Sequence, residues 1–137
     1  MRIIDTKEIE ECVYQMARRA GLTLTDSCRA ALNCAKERET GAAEFALSAL
    51  LENEKTAKRE QMPVCQDTGM AVVLISLGQE VQLVGAPLKD AVNEGVRRAY
   101  EDGKFRKSIC DPLTRVNTGD NTPAHLHVEI EEGDKAE

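Results

Sequence analysis

Four polar side chains stand next to one another in Met62-Pro63-Val64-Cys65-Gln66-Asp67-Thr68-Gly69. They offer a thiol, an amide, a carboxylate and a hydroxyl. A core segment is not built this way, because every polar group would need its own buried partner. Pro63 fixes one backbone angle, and Gly69 can take a positive φ that other residues resist. A turn framed like this holds polar groups rigidly, as a ligand or metal site requires. An ordinary polar loop with a stray cysteine is the plain alternative.

A second polar stretch runs from Lys104 to Ala124. It has little periodicity but many specific groups: Arg106, Ser108, Arg115, Asn117, Thr118, Asp120, Asn121 and Thr122. Asn117 to Pro123 strings turn formers together. A loop of this length inside a compact domain is usually functional or disordered, and its varied composition argues for function. There is no internal repeat, phosphate-binding glycine loop or metalloprotease helix.

The elements that must position these groups follow from periodicity. Asp5-Thr6-Lys7-Glu8 reads as a capping box, and Ile9, Cys12, Val13, Met16, Ala17 and Ala20 recur at helical spacing up to a stop at Gly21. Cys12 is expected in the core. A second helix is expected from Thr23 or Thr25 to about Glu39, with Cys28, Ala31, Leu32 and Ala35 on one face. Cys28 and Cys34 fall on different faces and read as structural residues. A third helix runs from Ala42 to about Arg59, with Phe45, Ala46, Ala49 and Leu50 inward and a solvated Glu54–Lys58 pair.

Beyond the central turn the pattern changes. Met70 to Leu77 reads as a strand buried on both faces, Gly78-Gln79 as a turn, and Val81 to Val84 as its hairpin partner. Pro87 opens a further helix whose stripe is Leu88, Ala91, Val92, Val96 and Ala99, ending at Gly103. Arg97 and Arg98 are expected in surface salt bridges. Ala124 to Ile130 alternates as a strand, and a turn at Gly133-Asp134-Lys135 leads one to expect a returning strand. The fold class is therefore α+β: a helical N-terminal layer (1–61), then a buried β-hairpin, a further helix and an irregular polar loop region (62–137).

At 137 residues the chain has the size of one domain. Its core must be aliphatic, since two tyrosines and two phenylalanines are the only aromatics. The net charge of -6 argues against nucleic acid or an anionic membrane as the main partner. A small anionic substrate is compatible with it, because local arginines decide that. No apolar run is long enough to span a bilayer, and a secretory signal pattern is absent, so a cytoplasmic protein is expected. Five cysteines without a CxxC pair fit a reduced compartment.

Cys65-Gln66-Asp67-Thr68-Gly69, then Phe105-Arg106-Lys107-Ser108, Asp111-Pro112-Leu113 and Asn117-Thr118-Gly119-Asp120-Asn121-Thr122-Pro123-Ala124, resemble the iron-sulfur-dependent hydro-lyases. These comprise the class I fumarate hydratases and the alpha subunits of L(+)-tartrate dehydratase. Order and approximate spacing agree over essentially the whole chain. The first pentapeptide alone is weak, whereas the combination is specific.

The resemblance implies a [4Fe-4S] cluster held by three cysteines, its open iron acting as a Lewis acid while water is added to or removed from a small dicarboxylate. Cys65 would be the first cluster ligand. Gln66, Asp67 and Thr68 would contact the substrate, and Arg106 would clamp a carboxylate with its planar fork. Asn117, Thr118, Asp120 and Asn121 would support the pocket. The catalytic base is not assigned. The family's other two cluster cysteines lie further along a longer chain, and Cys110 stands where the pattern has no ligand. The chain thus resembles the N-terminal part of an alpha subunit. The missing C-terminal alpha region and a beta subunit are the expected partners, and the isolated piece is expected to lack activity and a complete cluster. Fumarate and tartrate chemistry are not separated by this part of the chain.

Two rival readings come from the residues themselves. Cys65, Cys110, His125 and His127 supply ligands for a small zinc module, although their spacing matches no zinc motif. A non-catalytic interaction domain is the other. In that reading the strand near Leu126 to Ile130 pairs through its open edge with another chain or a further copy of itself.

Overall fold

A computed structural model describes residues 1–137. Asp5 starts the first helix as its sequence predicts, its carboxylate accepting the Lys7 amide at 2.9 Å. The chain runs β1 (Arg2–Asp5), α1 (Thr6–Leu22), α2 (Asp26–Lys36), α3 (Ala42–Glu60), β2 (Val72–Gly78), β3 (Val81–Val84), α4 (Leu88–Asp102) and β4 (His125–Glu131). The class is α+β, as expected. The strand β1 was not foreseen.

The core lies between α1, α4 and the inner face of β2 and β4. Val13, Leu22, Val92, Val96, Tyr100, Phe105 and Ala124 form its buried cluster, and Val73, Ile75 and Leu126 pack on it. Burying a valine or leucine of this kind stabilises by about 1.5–3 kcal/mol. The predicted stripe of α4 is the one that is buried. Gly95 lets the two helices close up, because a Cβ there would press on the Glu10 carbonyl and Val13. Arg98 bonds Glu10 at 2.6 Å and Glu11 at 3.2 Å across the same contact, while Arg97 pairs with Glu94 and Glu101 along α4.

The expected hairpin does not form. β2 pairs in parallel with β4, Val72 facing His125 through to Gly78 facing Glu131. β3 pairs in parallel with β1 instead. The cause lies at the turn. Gln79 donates to the Glu131 carbonyl and Glu80 to Gly133, so the turn's amides are taken by the loop after β4. A side chain at Gly78 would overlap the Gly133 backbone, so only glycine admits this crossing. The strand is also not buried on both faces. Val73 and Ile75 point to the helices, whereas Val72 is 61% and Leu74 70% exposed. Helices cover only one side of this sheet.

Other expectations are corrected by how the helices sit. Cys12 is exposed, since the close α1–α4 contact runs along Glu10 and Val13 and turns Cys12 away. Cys28 and Cys34 are exposed as well, because α2 buries no residue at all. On α3 the inward residues are Glu54 and Ala57, while Phe45 and Leu50 face outward. Glu54 is not a solvated partner of Lys58. It lies buried between α2 and α3, where Arg29 binds it at 2.5 Å and the Leu24 amide at 3.2 Å. The alanine-rich pattern of α3 has two apolar sides, and this ion pair selects the one that meets α2.

The returning strand begins as expected. Ser76 and Glu137 exchange both backbone hydrogen bonds at 2.9 Å, and Ala136 stands opposite Leu77 in antiparallel register. This pairing uses the edge of β2 that β4 leaves open.

Candidate functional site

The site is assembled from loops, and one buried side chain ties them together. Asn121 is fully buried, with a left-handed φ of 63°. Its Oδ1 accepts the Ser108 amide at 2.6 Å and the Ile109 amide at 3.1 Å. Its Nδ2 donates to the Gly69 carbonyl at 3.0 Å. A single amide therefore joins the Cys65–Gly69 turn, the Phe105–Ile109 segment and its own loop. Asparagine suits the position because it donates and accepts at once and tolerates the left-handed region.

Two further bonds strengthen the joint. Thr68 Oγ1 donates to the Arg106 carbonyl at 2.6 Å. Tyr100 Oη, at the end of α4, reaches the Thr68 and Gly69 carbonyls at 3.2 and 3.3 Å. Burial pushes the Tyr100 phenol up, so the donor stays protonated. Gly69 adopts φ 60° in open space, so the turn needs glycine for its angle and not for room. Below the turn, Asn53 donates to the Val64 carbonyl, and the Val64 amide bonds to Gly21.

The third loop is organised by its own polar groups. Asn117 Nδ2 donates to the Lys107 carbonyl at 2.9 Å, and its Oδ1 accepts the Gly119 amide at 2.7 Å. Thr118 bonds the Ile109 carbonyl through its amide at 3.0 Å. Asp120 accepts both the amide and the hydroxyl of Thr122 at 2.9 Å. Burial works to raise the Asp120 carboxyl, but these bonds outweigh it and hold it below its ordinary value. Asn93 on α4 accepts the Ala124 amide and so fixes where β4 starts.

The groups left exposed are those with reactive or charged heads. Cys65, Gln66, Asp67 and Arg106 are exposed, and the Cys65 sulfur accepts the Asp67 amide at 3.3 Å. The Arg106 guanidinium takes part in none of the chain's ion pairs, unlike Arg97 and Arg98. Of the residues singled out in the sequence, Thr68, Arg106, Asn117, Thr118 and Asn121 are drawn into one bonded unit, with Asp120 bracing its loop. Thr68 gives its hydrogen to the backbone, so it positions its neighbours. Tyr100 and Asn93 were missed. Tyr100 lies one helical turn after Val96, which is the signal that could have found it.

Cys65 is a single candidate ligand, and a full ligand set for a cluster is not present. No group of three or more His, Cys, Asp or Glu side chains gathers anywhere in the chain. The same fact removes the zinc grouping of Cys65, Cys110, His125 and His127. His125 and His127 are exposed on the outer face of β4, while Cys110 sits half-buried in a backbone bridge to Asn117. A hollow of about 480 Å³ beside the turn is mainly apolar and is lined by Met16, Ala17, Ala20, Val64 and Met70 beside Asp67 and Thr68. A dicarboxylate would be poorly matched to such walls. No helix is long and apolar enough to cross a membrane.

Fold and site describe an α+β domain in which polar loops are clamped to one another beside the exposed Cys65. The chain belongs to the fumarate hydratase (Fumerase) family, whose model matches residues 10–137. A Methanocaldococcus jannaschii protein, provisionally named L(+)-tartrate dehydratase subunit alpha, is 30% identical over 131 residues, 91% of this chain and 46% of that protein. A Geobacillus stearothermophilus protein, provisionally named fumarate hydratase class I, is 31% identical over 89% of this chain and 24% of its own length. The anaerobic class I fumarate hydratase of Escherichia coli is 33% identical over 62% of this chain and 16% of its own length. The chain spans less than half the length of these relatives.

Proposed function

We propose that the chain is the N-terminal part of a [4Fe-4S]-dependent hydro-lyase that reversibly adds water to a small dicarboxylate, with fumarate and malate as the pair. The observation that carries this reading is the Asn121 joint, which brings the Cys65 turn and the Arg106 segment together. Cys65 would supply one cluster ligand, and the remaining ligands would come from further along the polypeptide. When bound, the cluster supplies a Lewis acid for the departing or arriving hydroxyl.

The chain's own residues bind and orient. Arg106, exposed and unpaired, takes a substrate carboxylate in a two-point grip. Gln66 and Asp67 flank the thiol and face the same solvent, so they contact the polar end of the substrate. Thr68, Tyr100 and Asn121 hold the turn still, and Asn117, Thr118 and Asp120 hold the loop opposite. Further groups come from a beta subunit, so this piece alone is inactive. The test is anaerobic iron and sulfide reconstitution of the 137-residue chain beside the complete enzyme, assayed with fumarate and with tartrate. A four-iron cluster and hydration only in the complete enzyme, both abolished by Cys65→Ala, support the reading. An intact cluster in that variant overturns it. Turnover of tartrate alone moves the assignment to the dehydratase. Arg106→Ala should raise KM for the dicarboxylate, and unchanged kinetics remove Arg106 from the site.

A further inference from the structure

The apolar hollow beside the Cys65 turn runs along an unfinished strand edge. Register with β4 directs the backbone of Val73, Ile75 and Leu77 towards β4, so that of Val72, Leu74 and Ser76 faces the other side. On that side Ser76 is bonded to Glu137 and Gly78 to Lys135, both by antiparallel pairing. Val72 and Leu74 continue the same edge without a strand beside them. Next to them Met16, Ala17 and Ala20 of α1 line the hollow with Val64 and Met70. Met16 is 55% and Met70 54% exposed, high for methionines on a groove wall. The hollow's floor is helix, its side is open backbone, and its register is already set by Lys135–Glu137.

We propose that this groove receives an extended segment that continues the strand begun at Lys135–Glu137, in cis, antiparallel to β2. Its backbone bonds Leu74 and Val72, and every second side chain is apolar and rests on Met16, Ala17 and Ala20. The inference rests on the reading of the chain as part of a longer subunit, since the Methanocaldococcus relative carries more than as much sequence again. One feature favours a strand of the same polypeptide over a second copy: Glu137 is already bonded to Ser76, two residues short of Leu74.

The test appends Val-Thr-Val-Thr-Val after Glu137 and reads amide hydrogen exchange by NMR. Relative to the 137-residue chain, the Val72 and Leu74 amides should slow by about tenfold or more, with the β4 amides unchanged. Proline at the second and fourth appended positions, which face Leu74 and Val72, should abolish the slowing. Met16→Lys in the extended chain should weaken it while the β4 amides report an intact fold. No slowing with an intact fold overturns the proposal. Slowing in the unextended chain that grows with concentration assigns the edge to a second copy and overturns it too. The measurement needs neither cluster nor turnover. If hydration assays fail but the slowing appears, the functional reading falls and the groove assignment to a following strand remains.

Discussion

Asn121 Nδ2 and the Gly69 carbonyl lie 3.0 Å apart, joining positions 52 residues apart in the chain. No water reaches this amide, so its three bonds have no substitute. Asn121→Ala leaves the Ser108 and Ile109 amides without a partner and the Gly69 carbonyl with the Tyr100 hydroxyl alone. The expected loss is about 3 kcal/mol, the order expected for stranding buried polar groups. Urea denaturation measures it, and a loss within experimental error would mean the three loops hold together without Asn121.

Thr68→Val removes the bond to the Arg106 carbonyl while keeping the shape. A cost of about 1 kcal/mol is expected, with Thr68→Ser close to the parent. On the proposed function, the valine variant of the complete enzyme should also raise KM for the dicarboxylate, because the Arg106 segment is freed. Equal stability of the valine and serine variants would show that the hydroxyl carries no weight.

Thiol exposure separates the cysteines. Cys12, Cys28, Cys34 and Cys65 are exposed and Cys110 is half-buried. In the native chain a colorimetric disulfide reagent should label the four exposed thiols quickly and Cys110 slowly. Cys110→Ala should remove the slow phase. Five equal rates would contradict the placement of Cys110 against Asn117.

The Glu54–Arg29 pair sets an acid limit on stability. The Arg29 hydrogen bond, opposed by burial and aided by the Leu24 amide, holds the Glu54 carboxyl below its ordinary 4.5. The unfolded chain therefore takes up this proton first as pH falls. The stabilisation is complete above the ordinary value and is lost as pH drops through the depressed folded value. Thermal melts from neutral pH into the carboxylate range should show the decline, and Glu54→Gln should flatten it. A decline unchanged in the variant would assign it to other carboxylates, of which Asp120 and Asp111 are also held low.

The helices were legible because their periodicity and caps are local. Asp5, Thr25 and the α4 stripe act within a turn or two of themselves. Strand pairing was not legible. A hairpin from β2 to β3 is the local choice, and only the amides of Gln79 and Glu80, committed to a loop fifty residues on, exclude it. The inward face of α3 failed for a similar reason. Phe45 is more apolar than Glu54, yet an arginine on α2 draws the carboxylate inside. Within the candidate site the residue types and their order were readable, and Asn121 was among the residues singled out. What could not be read was the backbone each side chain would bind, because Gly69, Ser108 and Lys107 lend only their peptide groups.

Both sheets are parallel pairs, and that orders events during synthesis. β1 must wait for β3, and β2 must wait for β4, which ends at Glu131. Only the α2–α3 pair can form from neighbouring sequence as it emerges. The Cys65 turn is made early in translation but is clamped only when Asn121 arrives. A nascent chain therefore carries an unfixed thiol and an open strand while roughly fifty to sixty further residues are added. This is the interval in which the polypeptide depends most on being kept from wrong pairings.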